Sequence, residues 1–286
     1  MPRLLAIGHV TRDRRPGGDV LGGSVTYGAL AAKRLGWDVG ILTAAGPDFE
    51  PARELPGVSV FLRRSAATTR FVNEYDADGT RRQLVTARAD DVSLDPLPDE
   101  WRSPDALLLG SVANELYGVH ATALEAGCVG AIAQGYVRAI DASGVVSARD
   151  WATPGRDLLG VHVLFLSEHD LPSADARARE LLGCVPIVAL TRGWKGLTLL
   201  TRDAAHEVPS LPKAEVDPTG AGDVFAAGFL VRYQETGDPL EAAAFGACAA
   251  SCAVEGVGVT TLGTREEIEK RLGERERYLE GADLEE

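Results

Sequence analysis

The chain has 286 residues, 45% of them hydrophobic, with a formal net charge of −13. That length fits one large domain with a substantial core, so residues 1–286 are expected to form a single unit. The acidic balance disfavours nucleic acid and anionic membrane surfaces as partners, but not an anionic nucleotide held by local amide dipoles and a metal.

No apolar run reaches the roughly 18–20 residues that span a bilayer. The stretch Met1–Gly8 lacks a signal-peptide core of adequate length, so a cytoplasmic setting is expected. Cys128, Cys184, Cys248 and Cys252 show no paired spacing and read as free, mostly buried thiols.

Leu4-Leu5-Ala6-Ile7, ending at Gly8, reads as a buried strand. A polar stretch, Thr11 to Asp19, reads as a loop, and Val25 to Leu35 as a small-residue helix closed by Gly36. Strands are expected at Trp37–Ala44 and Val58–Leu62. Alternating residues flank Asp78-Gly79 between Thr68 and Val85, a strong hairpin signal. Ala106–Leu109 is a buried-type strand followed by Ser111, Asn114 and Glu115. In a parallel sheet ligands gather at that end. Asn114 suits a hydroxyl there, and helix-start chemistry explains it equally well.

Further strands are expected at Val129–Ala133, Val161–Leu166 and Val185–Leu190. Leu197–Leu200 and His206–Val208 should pair antiparallel at the sheet edge. Helices are expected at Val224–Glu235, stopped by Gly237-Asp238-Pro239, at Leu240–Val254, and at Arg265–Leu272. Glu280–Glu286 reads as an acidic tail. Strands alternating with helical stretches predict an α/β, doubly wound, mainly parallel sheet flanked by helices.

The most informative stretch is Asp217-Pro218-Thr219-Gly220-Ala221-Gly222-Asp223. It reads as a turn becoming a helix, with Thr219 as N-cap. Gly220 and Gly222 let the main chain approach a ligand. The amides of Gly220, Ala221, Gly222 and Asp223 would then open outward at a helix N-terminus, an anion site. Asp223 stands beside it, where a carboxylate could take a proton from a hydroxyl attacking a phosphoryl group.

Together with Ala227-Gly228-Phe229, this string resembles the C-terminal signature of the ribokinase-like, PfkB-type sugar kinases. The resemblance implies Asp223 as catalytic base and the Gly220-Ala221-Gly222 amides as anion hole. The start of the chain resembles the same family's N-terminal signature. It implies that Asp13 and the Gly22-Gly23 turn hold substrate hydroxyls, although many members carry Asn where Tyr27 stands.

Gln134-Gly135-Tyr136-Val137-Arg138 matches part of a further family motif, with Ile132-Ala133 in place of Asp-Pro. It makes Gln134 and Arg138 candidates for substrate or phosphate contact, beside Asn114. Ser167-Glu168-His169-Asp170 stands where the family usually has Asn-x-x-Glu. There Glu168 and Asp170 would steer Mg²⁺ through water, with Ser167 on the nucleotide side and His169 a surface residue. Thr191-Arg192-Gly193-Trp194-Lys195-Gly196 resembles the family's nucleotide loop, giving Thr191, Arg192, Gly193 and Gly196. The adenine pocket would lie along 240–254 and Gly256-Val257-Gly258.

The family's β lid falls on parts of 11–22 and 58–90 and often supplies a dimer contact. The implied function is ATP- and Mg²⁺-dependent phosphorylation of a sugar or polyol, with most likeness to the myo-inositol kinase branch. The alternatives are a nucleoside kinase of the same fold and a silent ligand-binding homologue.

Overall fold

The computed structural model describes residues 1–15, 17–75, 81–116, 121–211 and 213–282. In chain order the strands are β1 (Arg3–Ile7), β2 (Thr11–Arg15), β3 (Gly18–Gly22), β4 (Asp38–Ala45), β5 (Ser59–Arg64), β6 (Thr69–Tyr75), β7 (Arg81–Ala87), β8 (Ala106–Leu109), β9 (Cys128–Ile132), β10 (Arg138–Ile140), β11 (Val146–Ala148), β12 (Val163–Ser167), β13 (Ile187–Thr191), β14 (Leu197–Thr201) and β15 (Ala205–Val208). The helices are α1 (Ser24–Arg34), α2 (Pro51–Glu54), α3 (Pro154–Asp157), α4 (Ala174–Leu181), α5 (Ala221–Thr236), α6 (Pro239–Ala253) and α7 (Arg265–Ala282).

Among the described residues, nine strands form one sheet in the order β15-β14-β13-β12-β9-β8-β1-β4-β5. It is parallel from β13 to β5 and antiparallel at the β13-β14-β15 edge. The parallel strands are short continuous apolar runs because both faces are covered. In β1, Leu4 and Ala6 enter a core shared with α1, α5 and α6, while Leu5 and Ile7 enter a second core on the opposite face. The rings of Phe225 and Phe229 on α5 meet Phe165 of β12 edge-on, at 5.8 and 5.5 Å between centroids. Helix α5 ends at Gly237, and α6 begins with Asp238 accepting from Leu240 N (2.8 Å) and Glu241 N (3.2 Å), ahead of Pro239.

From β1 the chain passes to β4 and β5 on one side, then returns to β8 and β9 on the other. The strand order therefore reverses between β1 and β8, and their carboxyl ends flank a crevice. Glu115, fully buried, ties these ends together. Its carboxylate accepts from His9 N (3.0 Å), Ser111 Oγ (3.0 Å), Val112 N and Ala113 N (2.6 Å). Burial alone would raise its pKa, but His9 and these amides hold it below the usual carboxylate range.

A second sheet, β3-β2-β6-β7, stands over the crevice. It replaces the loop read from composition at 11–19 with strands where the resemblance put the β lid: Thr11–Arg15 and Gly18–Gly22 pair antiparallel. Their polar composition hid them, since Arg12 is buried by ion pairs rather than by apolar contact. Its guanidinium meets Glu54 (2.6 and 2.9 Å) and Asp48 (3.7 Å). β5 belongs to the large sheet, so residues 69–87, and not 58–64, join the small one. The Asp78-Gly79 turn lies outside the described residues, although β6 and β7 flank it antiparallel.

The cysteines are free; Cys128, Cys248 and Cys252 are buried. The last helix runs on to Ala282, past the expected end at Leu272. Among the described residues no helix is long and apolar enough to cross a membrane.

Candidate active site

A cleft of about 1090 Å³ opens between the small sheet and the carboxyl ends of the large one. It is lined at one end by Thr11, Asp13 and Phe71, and at the other by Thr191, Trp194 and Lys213. Gly220 and the first residues of α5, Ala221, Gly222 and Asp223, line it as well. The turn before α5 is held by Asp217, whose Oδ1 accepts from Thr219 N (3.0 Å) and whose Oδ2 accepts from Arg15 Nη1 (2.7 Å). Burial would raise the Asp217 pKa, but the Thr219 bonds and Arg15 hold it below the usual value.

Thr219 is not the N-cap. Gly220 takes that position with φ 81°, and no side chain caps the helix. Ala221 N donates to Pro218 O (3.2 Å), which removes it from the expected open set. Among the described residues no bond engages the amides of Gly220, Gly222 and Asp223. An uncapped N-terminus in a cleft is a site for an anion, because its partial positive charge has no internal partner.

Asp223 lies in the first turn of α5, half-buried at the cleft. Burial pushes its carboxyl up to about 6, opposed by a hydrogen bond from Ser24 and by the charge of Arg138. Asp13 and Asp170 push in the same direction as burial. A carboxylate titrating near neutrality suits proton abstraction. Ser24, the first residue of α1, is a neighbour that sequence reasoning missed; its position directly after Gly22-Gly23 was the available signal.

Asp13 faces the cleft, and its Oδ1 accepts from Thr11 Oγ1 (2.9 Å). Gly22 does not line the cleft; it makes room for Asp13, since a Cβ there would fall 2.4 Å from Asp13 Oδ2. Gly23 and Gln134 do line it. Arg138 lies over the Phe71 ring at 5.9 Å and donates from Nη1 to Val112 O (3.3 Å). Asn114 is not at the cleft surface. Its Nδ2 donates to Arg138 O (3.0 Å), so it supports the Arg138 main chain.

On the far side, Ser167, Glu168, Asp170, Thr191, Arg192, Gly193 and Gly196 all line the cleft. Asp170 Oδ2 accepts from Ser167 N (2.8 Å), and burial raises its pKa against that bond and Arg138. Arg192 is committed to Asp175 (2.6 Å), with Glu168 3.8 Å away. Gly256 is not on the lining; it packs against Thr261 instead, while Ala247, Ala250, Ser251 and Val254 of the α6 region are. Among the described residues no three acidic, histidine or cysteine side chains converge for direct metal ligation. Glu168 and Asp170 fit a hard cation held through water, because Mg²⁺ keeps several of its own waters.

The protein-family model for pfkB family carbohydrate kinases matches residues 21–266. An inositol 3-kinase of Oryza sativa subsp. japonica is 30% identical over 273 residues, covering 87% of this chain and 66% of that protein. A nucleoside kinase of Methanocaldococcus jannaschii is 35% identical over 115 residues, 38% of each chain. The matches thus span less than two thirds of these curated relatives' lengths. A solved structure of a pyrophosphate-dependent kinase in the ribokinase family, complexed with a pyrophosphate analog and myo-inositol, superposes with a TM-score of 0.76 at 22% identity. That superposition covers 93% of this chain and 99% of the other, a likeness of fold. On the family match, which takes in both the α5 turn and most of the cleft, the chain belongs to the pfkB family of carbohydrate kinases.

Proposed function

We propose that this chain transfers the γ-phosphoryl group of ATP to a hydroxyl of a small sugar or polyol, with myo-inositol the first candidate. The observation that carries the reading is Asp223, its carboxyl raised to about 6, beside the uncapped N-terminus of α5 in one cleft. The long match to the rice inositol 3-kinase supports the polyol.

In this reading Asp13 accepts hydrogen bonds from neighbouring acceptor hydroxyls, as a carboxylate with two oxygens can. Asp223 takes the proton of the attacking hydroxyl. The open amides of Gly220 and Gly222 stabilise the negative charge of the phosphoryl group as it moves, a preorganised electrostatic contribution. Arg138 adds positive charge on the same side. Mg²⁺, steered through water by Glu168 and Asp170, would supply charge neutralisation on the donor phosphates. The small sheet excludes water, which limits hydrolysis of the donor. β3, one of its two edge strands, is where a second copy of the chain would add.

A nucleoside acceptor is the second reading. Phe71 and Tyr27 line the cleft and give a base something to stack on, and the match to the archaeal nucleoside kinase points the same way. A panel of polyols, sugars and nucleosides, followed by ADP release with Mg²⁺, separates the two. Turnover of myo-inositol or another polyol supports the first reading. Turnover of nucleosides alone overturns it in favour of the second.

A further inference from the structure

Arg15 ends β2 in the small sheet, and Asp217 opens the anion-binding turn 202 residues later. Their side chains meet at 2.7 Å, both largely shielded, with 26% and 11% of their surfaces exposed. Both residues line the cleft. A buried-edge pair of this kind is a specific tie, because an unpartnered carboxylate left there would be costly.

Asp217 is also the residue on which the turn depends. Its Oδ1 holds Thr219 N, its Oδ2 reaches Gly258 N at 3.4 Å, and its own amide donates to Val254 O (3.2 Å). On the other side, β2 carries Thr11 and Asp13 at the acceptor end of the cleft. Asp13 and Tyr27 also bear electrostatically on Arg15. One guanidinium therefore joins the strand that holds the acceptor to the turn that would hold the donor phosphates.

We infer that Arg15 is a positioning residue that couples the small sheet to the anion-binding turn, so that the turn is set for phosphoryl transfer only when the sheet is seated over the acceptor. The inference rests on the kinase reading for its catalytic consequence, but the coupling itself is a property of the free protein. Seating the sheet seats Arg15 on Asp217, which orders the turn through Thr219 and Gly258. By linkage, loosening either end loosens the other.

The test has two arms. In the first, amide hydrogen exchange of the ligand-free full chain is compared between wild type, Arg15→Ala, Arg15→Lys and Asp217→Asn. Arg15→Ala should speed exchange at the amides of Thr219, Ala221 and Val224 by about fivefold or more, although none of these lies in the small sheet. Asp217→Asn should speed exchange across β2 and β3 by a similar factor, and Arg15→Lys should restore much of the protection. Exchange in Arg15→Ala confined to the small sheet overturns the inference, whatever the enzyme's activity.

The second arm measures phosphoryl transfer to the best acceptor of the panel against ATP hydrolysis without acceptor. Arg15→Ala should lower the ratio of transfer to hydrolysis about tenfold or more through kcat, with the KM for ATP within about threefold of wild type, and Arg15→Lys should recover part of it. An unchanged ratio overturns the catalytic part of the inference. A wild-type chain that transfers nothing while the first arm is positive removes the kinase reading and leaves the coupling standing.

Discussion

The ring of Tyr27 occupies the space that a side chain at Gly220 would need. An ideal Cβ on Gly220 falls 2.3 Å from Tyr27 Cδ1 and 2.5 Å from Cγ and Cε1, and the backbone there is left-handed, with φ 81°. Steric exclusion and backbone geometry thus both require glycine at the head of α5. At Gly222 a Cβ meets nothing within 4 Å. The two glycines of one motif therefore predict different defects. Gly220→Ala should destabilise the fold, by about 2 kcal/mol or more, and abolish activity. Gly222→Ala should leave the melting temperature nearly unchanged and lower activity by crowding the donor's approach. Thermal melts and kinetics of the two variants, side by side, check this.

The raised Asp223 carboxyl predicts a pH profile. As a base it must be ionised, so kcat/KM should rise with pH and level off above about 6. Arg138 favours the charged form, so Arg138→Gln should move the inflection upward. Asp13 disfavours it, so Asp13→Asn should move the inflection downward, although it also weakens acceptor binding.

The same group predicts a stability effect of the opposite kind from activity. Asp223 binds its proton more tightly in the folded chain than in the unfolded one. The stability this contributes is present at low pH and is lost as pH rises through about 6. Asp223→Asn should therefore be more stable than wild type near neutral pH, by about 1–2 kcal/mol after discounting for its open side toward the cleft. The difference should vanish toward about pH 4. Urea unfolding at the two pH values measures it.

Arg12 anchors the small sheet to the large one through Glu54 and Asp48. Arg12→Ala should cost about 3 kcal/mol, because it leaves the shielded Glu54 carboxylate with only the Glu50 amide (2.9 Å) and the exposed Arg53 (3.9 Å). Replacing Arg12 and Glu54 together by Met should cost less than the single change. A double-mutant cycle in urea reads the difference.

Trp194 bears on the choice of donor. It stands at the cleft mouth with 73% of its surface exposed, while Trp37, Trp101 and Trp151 are buried. Acrylamide quenching of the exposed fluorescence therefore reports on Trp194. ATP and ADP should protect it and inorganic pyrophosphate should not. Trp194→Ala should raise the KM for ATP by about tenfold, the scale of one base-stacking contact. Equal protection by pyrophosphate would argue for an inorganic donor.

The parallel sheet was legible because its strands are apolar runs buried on both faces, as in Leu4–Ile7 and Ala106–Leu109. The α5 turn was legible from its glycines and acids. What local pattern did not show, although the family resemblance placed a β lid on parts of 11–22, was structure stabilised by polar groups. The strands Thr11–Arg15 and Gly18–Gly22 have no apolar alternation, and the short pair β10-β11 and the charged helix α4 left no clear period. Helix α7 passes through Gly273, which masks its continuation to Ala282. At the site, residue types pointed to the cleft, but not to their partners. Arg192 turns to Asp175, Asn114 supports Arg138 from behind, and Asp217 meets an arginine from the far end of the chain. Such long-range pairings depend on how the two sheets meet, which no local pattern encodes.

The most direct test of Asp223 as the base is phosphoryl transfer by wild type and Asp223→Asn, assayed with ATP, Mg²⁺ and the acceptor that turns over best. The account predicts robust transfer by wild type and a fall of about a thousandfold in kcat for the variant, with ATP binding retained. Equal rates for the two proteins would contradict it.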